Sequence, residues 1–475
     1  MDVCSLSALD LRAALRRREL SAVDALSAVL ERADALEGPL NPFAVRLDDG
    51  ARRAAEAADK ALARGAGGPL CGIPLTIKDS HWLAGTTSAT GSRALADFVP
   101  GATSAAVERL QDAGAVVYAK TTTPEFCYFG VTESPLNGRT NNPWDPARTP
   151  GGSSGGAAAA LAAGAGPLAL GGDGGGSIRI PSAFCGVVGF KPTFGLVARE
   201  PCSPSWKSLV SYGPMARDVA DAREMLLAMA GMHARDRHSL GVDGLAQRAP
   251  APGDLRLVIS GDLGFAPVDD DVRRAFRATV ARLESAGATL IADTPGLGSS
   301  VQTWSAIAVA DARYAETGIY DHKRELVGDD ALRFMSYGEH VTTGDYVQAN
   351  LARERIHQAY VDLFARTGAT ALLTPTLGCE PFPHGANHPS EIGGVPIDAP
   401  WYDWCGFLYD ANLAGLPACA VPVGLGDDGL PVSVQLLGLR GHDGAVLAAA
   451  EAVQGLVAFD ARPPALVRAQ ADGAA

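Results

Sequence analysis

The chain opens with two stripes of apolar residues at helical spacing. Leu9, Leu11, Leu15 and Leu20 form the first, and Val23, Leu26, Val29 and Leu30 the second. Spacing of this kind turns one face of a helix toward a core. Ser7 with Asp10, and Ser21 with Asp24, stand three residues apart just ahead of each stripe, an N-capping arrangement. Residues 1–65 are therefore expected to form a helical hairpin packed on something larger.

From residue 69 the pattern shortens. "PLCGIPLTIKDS" reads as a brief apolar strand interrupted by Gly72 and Pro74. "SAAVERLQDAGAVVYAKTT" reads as a helix, a stop at Gly114 and a strand. The same step recurs in "DDVRRAFRATVARLESAGATLIAD" with Gly287 and in "HQAYVDLFARTGATALLTPT" with Gly368. Three helix–Gly–strand steps predict an α/β sheet with helices on its faces. No G-x-G-x-x-G joins strand to helix, so a dinucleotide fold has no support. Residues 231–254 are polar and read as a surface crossing, and residues 311–360 as a helical cap rich in charge and tyrosine. "ALLTPT", "ACAVPVGL" and "PVSVQLLG" return to strands. The expected organisation is a core over 66–230, a second α/β part with its cap over 231–370, strands and a helix completing the same core over 371–462, and a frayed tail over 463–475.

Composition narrows the function classes. The chain has 475 residues, 47% hydrophobic and 20% charged, enough for a large buried core. A net charge of −13 argues against a nucleic-acid groove. No window reads as a membrane span, and the N-terminus has no apolar signal region, so a cytoplasmic protein is expected. The eight cysteines are dispersed without a C-x-x-C pair, as buried thiols in a reducing compartment would be. His384 and His388 are four apart, but Pro383 and Pro389 break any helix that would align them, and no metal site is expected.

The stretch Thr149–Gly186, "TPGGSSGGAAAALAAGAGPLALGGDGGGSIRIPSAFCG", changes the picture most. Its glycines flank helix-like and strand-like pieces, so it is not a linker. No lysine follows them before Lys191, so it is not a phosphate loop. Acyl transfer is the remaining reading: Gly174, Gly175 and Gly176 before Ser177 can turn backbone N–H groups toward an oxyanion. The pattern G-x-S-x-G is absent and no histidine stands in a comparable setting. Lys78, ending "GIPLTIKD", is either a desolvated neutral base or an ordinary solvated lysine at a strand end, and composition leaves both open.

These pieces together resemble the amidase signature family. The resemblance rests on "GGSSGG" at 151–156, "GGDGGGSIRIPSAFCGVVGFKPTFG" at 171–195 and "GIPLTIKD" at 72–79. "AGAVVYAKTTTPEF", "NLAGLPACAVPVG" and "GLPVSVQLLG" extend it over most of the chain. It implies a large mixed, mostly parallel twisted sheet flanked by helices on both faces. It implies a Ser–Ser–Lys triad in which Lys78 is the base, Ser153 (after a cis peptide) the relay and Ser177 the nucleophile. The two serines stand 24 residues apart, as the family pattern requires. The oxyanion hole would be the backbone of Gly174, Gly175 and Gly176 with the N–H of Ser177. Ser154, Asp173 and Arg179 would support the loop, and Cys127, Tyr128 and Phe129 would line the acyl side. The sequence departs from the family at Gly172, where many members carry Thr or Ser, and at Gly174, where many carry Thr, Ile or Ala. The bare loop is expected to widen the site or soften it.

The resemblance implies an amidase that needs no cofactor and acts on a small-molecule amide or carbamate, with a homodimer as one assembly open to it. Trp206, Trp304, Trp401 and Trp404 lie in irregular regions and would serve either as an aromatic wall or as core. Two or more at the mouth, Trp206 and Trp401 foremost, would favour aryl or hydrophobic amides and aryl carbamates. The alternative is the glutaminase subunit of a tRNA-dependent amidotransferase. "EPCSPSWKSLVSYGPMAR" and the helical segment after residue 336 lack the runs associated with such glutaminases. The third reading, a non-catalytic binding protein on the same fold, is disfavoured by the intact Lys78, Ser153 and Ser177.

Overall fold

A computed structural model describes residues 2–241, 243–397, 403–460 and 462–464. Ser7 and Ser21 cap the helices Ala8–Arg17 and Ala22–Leu40, each accepting a hydrogen bond from the backbone N–H three residues on. The N-terminal 65 residues hold more than a hairpin. They add a strand, Phe43–Arg46, and a third helix, Asp48–Ala63. Four residues are too few for a period to show, and the strand exists because it pairs with Val116–Thr121 at the sheet edge.

Eleven strands make one sheet: β1 (Phe43–Arg46), β2 (Pro74–Lys78), β3 (Val116–Thr121), β4 (Leu168–Asp173), β5 (Val188–Lys191), β6 (Ser211–Ala216), β7 (Arg256–Ile259), β8 (Thr289–Ala292), β9 (Ala371–Pro375), β10 (Ala418–Leu425) and β11 (Pro431–Leu437). Their spatial order is β1-β3-β2-β4-β6-β5-β10-β11-β9-β7-β8. The sheet is mixed. Parallel pairing holds on the two flanks, β3–β2–β4 and β9–β7–β8, where helices cross over between strands. The middle, from β4 through β6, β5, β10 and β11 to β9, pairs antiparallel. The three glycine stops sit where expected, with φ of +89° at Gly114, +90° at Gly287 and +62° at Gly368.

Helices cover both faces. One core joins the N-terminal helices, Val219–Met229 and Asp443–Val457 to the sheet. The other lies under the helices Val301–Ala315, Asp329–Tyr337 and Thr343–Thr367, which form the cap over residues 311–360.

The alanine-rich piece is the helix Gly155–Ala162 followed by β4. This helix is buried all round, so apolar residues occupy every face. Side chains at Gly155 and Gly156 would come within 2.2 and 2.3 Å of Thr132 Oγ1 and Thr122 Oγ1. Glycine is what lets the helix seat against the loops after β3. β2 and β4 pair in parallel with Ile77 beside Leu170, so Lys78 and the glycine-rich turn leave the sheet at the same edge. Ligands of open α/β sheets bind at such carboxyl ends of parallel strands.

Candidate active site

Lys78 is the last residue of a strand with no exposed position, and is itself 2% exposed. The solvated reading of this lysine is therefore excluded. Its Nζ lies 2.6 Å from Ser153 Oγ and 3.4 Å from the carbonyl of Gly172. Burial pushes the ammonium below the ordinary lysine value; the neighbouring Cys127 and Asp173 oppose that shift without cancelling it. The next residue, Asp79, is tied down by a buried ion pair with Lys120 at 3.0 Å and by the N–H of Thr90 at 2.7 Å. His81 packs edge-on to Tyr212, and burial, then Lys78 and Lys120, press it toward its neutral form.

The Gly152–Ser153 peptide is cis. Gly152 sits so close to the backbone of Val131 that a side chain would approach Val131 O to 2.3 Å. Ser154 N–H donates to Ser177 O at 3.1 Å, and Ser154 Oγ meets the backbone of Gly172 at 3.4 Å. Ser154 thereby ties the first glycine cluster to the second.

Asp173 organises the second cluster. Its carboxylate accepts from Gly176 N–H, Ile178 N–H, Arg179 N–H, the Arg179 guanidinium and Asn412. Burial alone would raise its pKa, but Arg179, with Lys191 and Asn412, outweighs burial and holds it well below the carboxylate range. Arg179 is fully buried and reaches Gln435, Leu408 O and Asn412 as well.

Gly176 departs from the expected oxyanion hole. Its N–H is already donated to Asp173 Oδ1 at 2.7 Å, so it is not a free donor for an oxyanion. The N–H groups of Gly174, Gly175 and Ser177 remain for that role.

The bare loop is neither wide nor soft. A side chain at Gly174 would meet the Trp206 ring at 2.8 Å, one at Gly175 the Trp304 ring at 2.8 Å, and one at Gly176 Leu408 at 2.4 Å. Trp304 Nε1–H donates to Gly174 O at 2.8 Å, and Trp206 Nε1–H to Ala308 O at 2.8 Å. The two indoles meet edge-on with ring centres 5.5 Å apart. Large side chains from elsewhere in the chain thus occupy the volume left free at Gly174 and Gly175, and backbone close approach replaces side-chain packing.

Lys78, Ser153 and Ser177 open together onto a cavity of about 340 Å³. Cys127 and Trp206 line it, as expected. Tyr128 and Phe129 do not. They back a separate void of about 20 Å³ that Ser177 also borders, shared with Gly175, Trp206 and Trp304. Positive φ values at Phe126 (+50°) and Cys127 (+63°) turn the segment so that Phe126, not Phe129, faces the cavity. Trp404 stacks on Phe184 in the core, and Trp401 lies outside the described residues.

Reasoning from sequence missed Trp82, Leu95, Phe98, Phe126, Arg199 and Glu316 in the cavity wall. Phe126 closes one quoted motif and Trp82 stands just after another, but Glu316 comes from a distant helix junction that no local pattern marks. Among the described residues no group of three His, Cys, Asp or Glu is placed to hold a metal ion. No helix among them is long and apolar enough to cross a membrane.

The comparisons with known proteins agree with this architecture. The family model described as Amidase matches residues 24–447. An acylamidase of Rhodococcus erythropolis is 34% identical over 449 residues, covering 93% of each chain. A glutamyl-tRNA(Gln) amidotransferase subunit of Synechococcus sp. is 36% identical over 455 residues, covering 89% of this chain and 92% of that one. The crystal structure of a bacterial aryl acylamidase of the amidase signature family superposes with a TM-score of 0.88 at 27% identity, covering 96% of each chain. On this coverage, and with the sheet and glycine loops described above, the chain belongs to the amidase signature family and is an amide hydrolase of that class.

Proposed function

We propose that the chain is a stand-alone amidase acting through a Ser177 acyl-enzyme on aryl or hydrophobic amides, with aryl carbamates as candidate substrates. The 2.6 Å contact between a desolvated Lys78 and Ser153, beside Ser177 at the floor of one cavity, carries this reading. Neutral Lys78 takes a proton from Ser153, and Ser153 takes one from Ser177 as Ser177 Oγ attacks the carbonyl carbon. The N–H groups of Gly174, Gly175 and Ser177 receive the developing oxyanion, each worth roughly 10²–10³ in rate. The relay then returns the proton to the leaving nitrogen, and water releases the acyl group. A urethane carbonyl would follow the same path through a carbamoyl-enzyme. Ser154, Asp173 and Arg179 position the loop and touch no reacting atom.

The wall supports the substrate class. Trp82, Phe98, Phe126, Trp206 and Tyr212 supply aromatic surface, the setting in which a bulky apolar group is desolvated. None of the eight cysteines is joined in a disulfide, which suits a reducing cytoplasm.

A second reading, the glutaminase subunit of an amidotransferase, is favoured by the 36% identity to the Synechococcus protein. One experiment separates the two. The purified chain alone is assayed on an anilide, an aryl carbamate, an aliphatic amide and glutamine. Turnover of the anilide or carbamate, abolished in Ser177→Ala, is expected. Glutaminase activity appearing only when partner subunits are added would overturn the stand-alone reading.

A further inference from the structure

A carboxylate stands in the wall of this aromatic cavity with almost nothing to hold it. Glu316 joins the helices Val301–Ala315 and Thr317–His322 and lines the same cavity as Ser177. Among the described residues its carboxylate has one hydrogen-bond partner, the Ser203 hydroxyl, which donates to Oε1 at 3.3 Å. Among the described residues it forms no ion pair. The nearby cations are engaged elsewhere. Arg199 donates to Lys207 O at 2.6 Å and lies over the rings of Phe194 and Tyr212, while Lys207 pairs with Glu200. Removing a carboxylate from water without a counter-charge is costly, and such groups are normally paired. The loss of solvent shows in the carboxyl itself, which burial raises above its ordinary value while Ser203 opposes the shift. The aromatic surface around it adds a preference for cations at its ring faces.

Resting on the amidase reading, we propose that Glu316 is a specificity residue that receives a cationic group, a primary ammonium in the simplest case, at the end of the substrate remote from the scissile amide. The substrate class is then a hydrophobic amide bearing a basic amine, not a fully neutral anilide. A charge-assisted hydrogen bond to Glu316 in this half-buried setting corresponds to about tenfold or more in affinity.

Calorimetric binding to the Ser177→Ala chain tests this with three probes of one shape: 3-phenylpropylammonium, 3-phenylpropanol and 4-phenylbutyrate. The ammonium should bind at least about tenfold tighter than the alcohol, and Glu316→Gln in the same background should bring that ratio close to one. Equal binding of ammonium and alcohol, no detectable ammonium binding, or a preference that survives Glu316→Gln overturns the proposal. Tightest binding by the carboxylate also overturns it and makes Arg199 the recognition group. Hydrolysis of an anilide bearing a basic amine by the wild-type chain is measured separately. Its failure counts against the amidase reading and leaves the binding result to stand by itself.

Discussion

Asp173→Asn is the substitution whose effect the geometry determines most closely. Each carboxylate oxygen faces three donors. Oδ1 accepts from Gly176 N–H at 2.7 Å, Asn412 Nδ2 at 2.9 Å and Arg179 Nη2 at 3.1 Å. Oδ2 accepts from Arg179 Nε at 3.0 Å, Ile178 N–H at 3.2 Å and Arg179 N–H at 3.4 Å. Whichever way an asparagine amide turns, its NH₂ opposes three donors. Two hydrogen bonds to neutral groups and one to a guanidinium are lost. At about 1 kcal/mol for each neutral bond and about 1.5–3 for the charged one, the loss is about 3.5–5 kcal/mol. That agrees with the ~3–5 kcal/mol for breaking a buried ion pair by removing one partner. It is a large share of the ~5–15 kcal/mol that holds a folded protein together. The measurement is urea unfolding of the wild type and Asp173→Asn, with the midpoint shift multiplied by the slope. Because the turn loses three of its six anchors either way, kcat on an anilide should fall by about 10² as the neighbouring donors move off the oxyanion position. Replacing Arg179 as well, as Asp173→Asn with Arg179→Met, removes the stranded buried charge. The two substitutions should therefore couple by about 2 kcal/mol or more. A shift equivalent to less than about 1 kcal/mol, or strict additivity, would refute the view that this pair holds the loop.

Activity should rise with pH as Lys78 loses its proton, tenfold per pH unit below its depressed pKa; kcat/KM measured from pH 6 to 10 checks this, and a flat profile refutes a lysine base. Lys78 also makes stability depend on pH. Between its depressed folded pKa and the ordinary lysine value of 10.5 the unfolded chain binds more protons. Stability should therefore rise with pH across that window, and the urea midpoint of the wild type should gain on that of Lys78→Met. Gly174→Ala drives a methyl to 2.8 Å from the Trp206 ring, so it should destabilise by about 1–3 kcal/mol and lower kcat, with partial recovery when Trp206→Val is added. Unfolding and steady-state kinetics of the single and double variants report both effects. Trp206→Ala alone should weaken kcat/KM for anilides more than for acetamide, because the ring lines the cavity and backs the glycine loop; equal losses on both substrates would remove it from substrate recognition.

What the sequence determined by itself was local. Capping serines, glycine stops and the alanine-rich helix are written in residues a few positions apart, and the structure keeps them. The candidate catalytic residues were legible too, because glycine runs beside serines and a lysine ending an apolar strand are improbable combinations. The reading stopped where distant segments meet. Whether Lys78 is solvated depends on strands and loops packed around the end of β2, and no window of sequence contains that environment. The edge strand Phe43–Arg46 exists only through its pairing with β3. The N–H of Gly176 goes to Asp173 because a loop and a buried guanidinium fix the angle of that turn. The bareness of Gly174 and Gly175 looks like free space in the sequence, whereas in the fold Trp206 and Trp304 fill it. The same distance in sequence conceals Glu316, which reaches the cavity from 139 residues beyond Ser177. Short-range order follows from backbone preference and side-chain capping, while desolvation, donor availability and cavity shape are set by contacts between segments far apart along the chain.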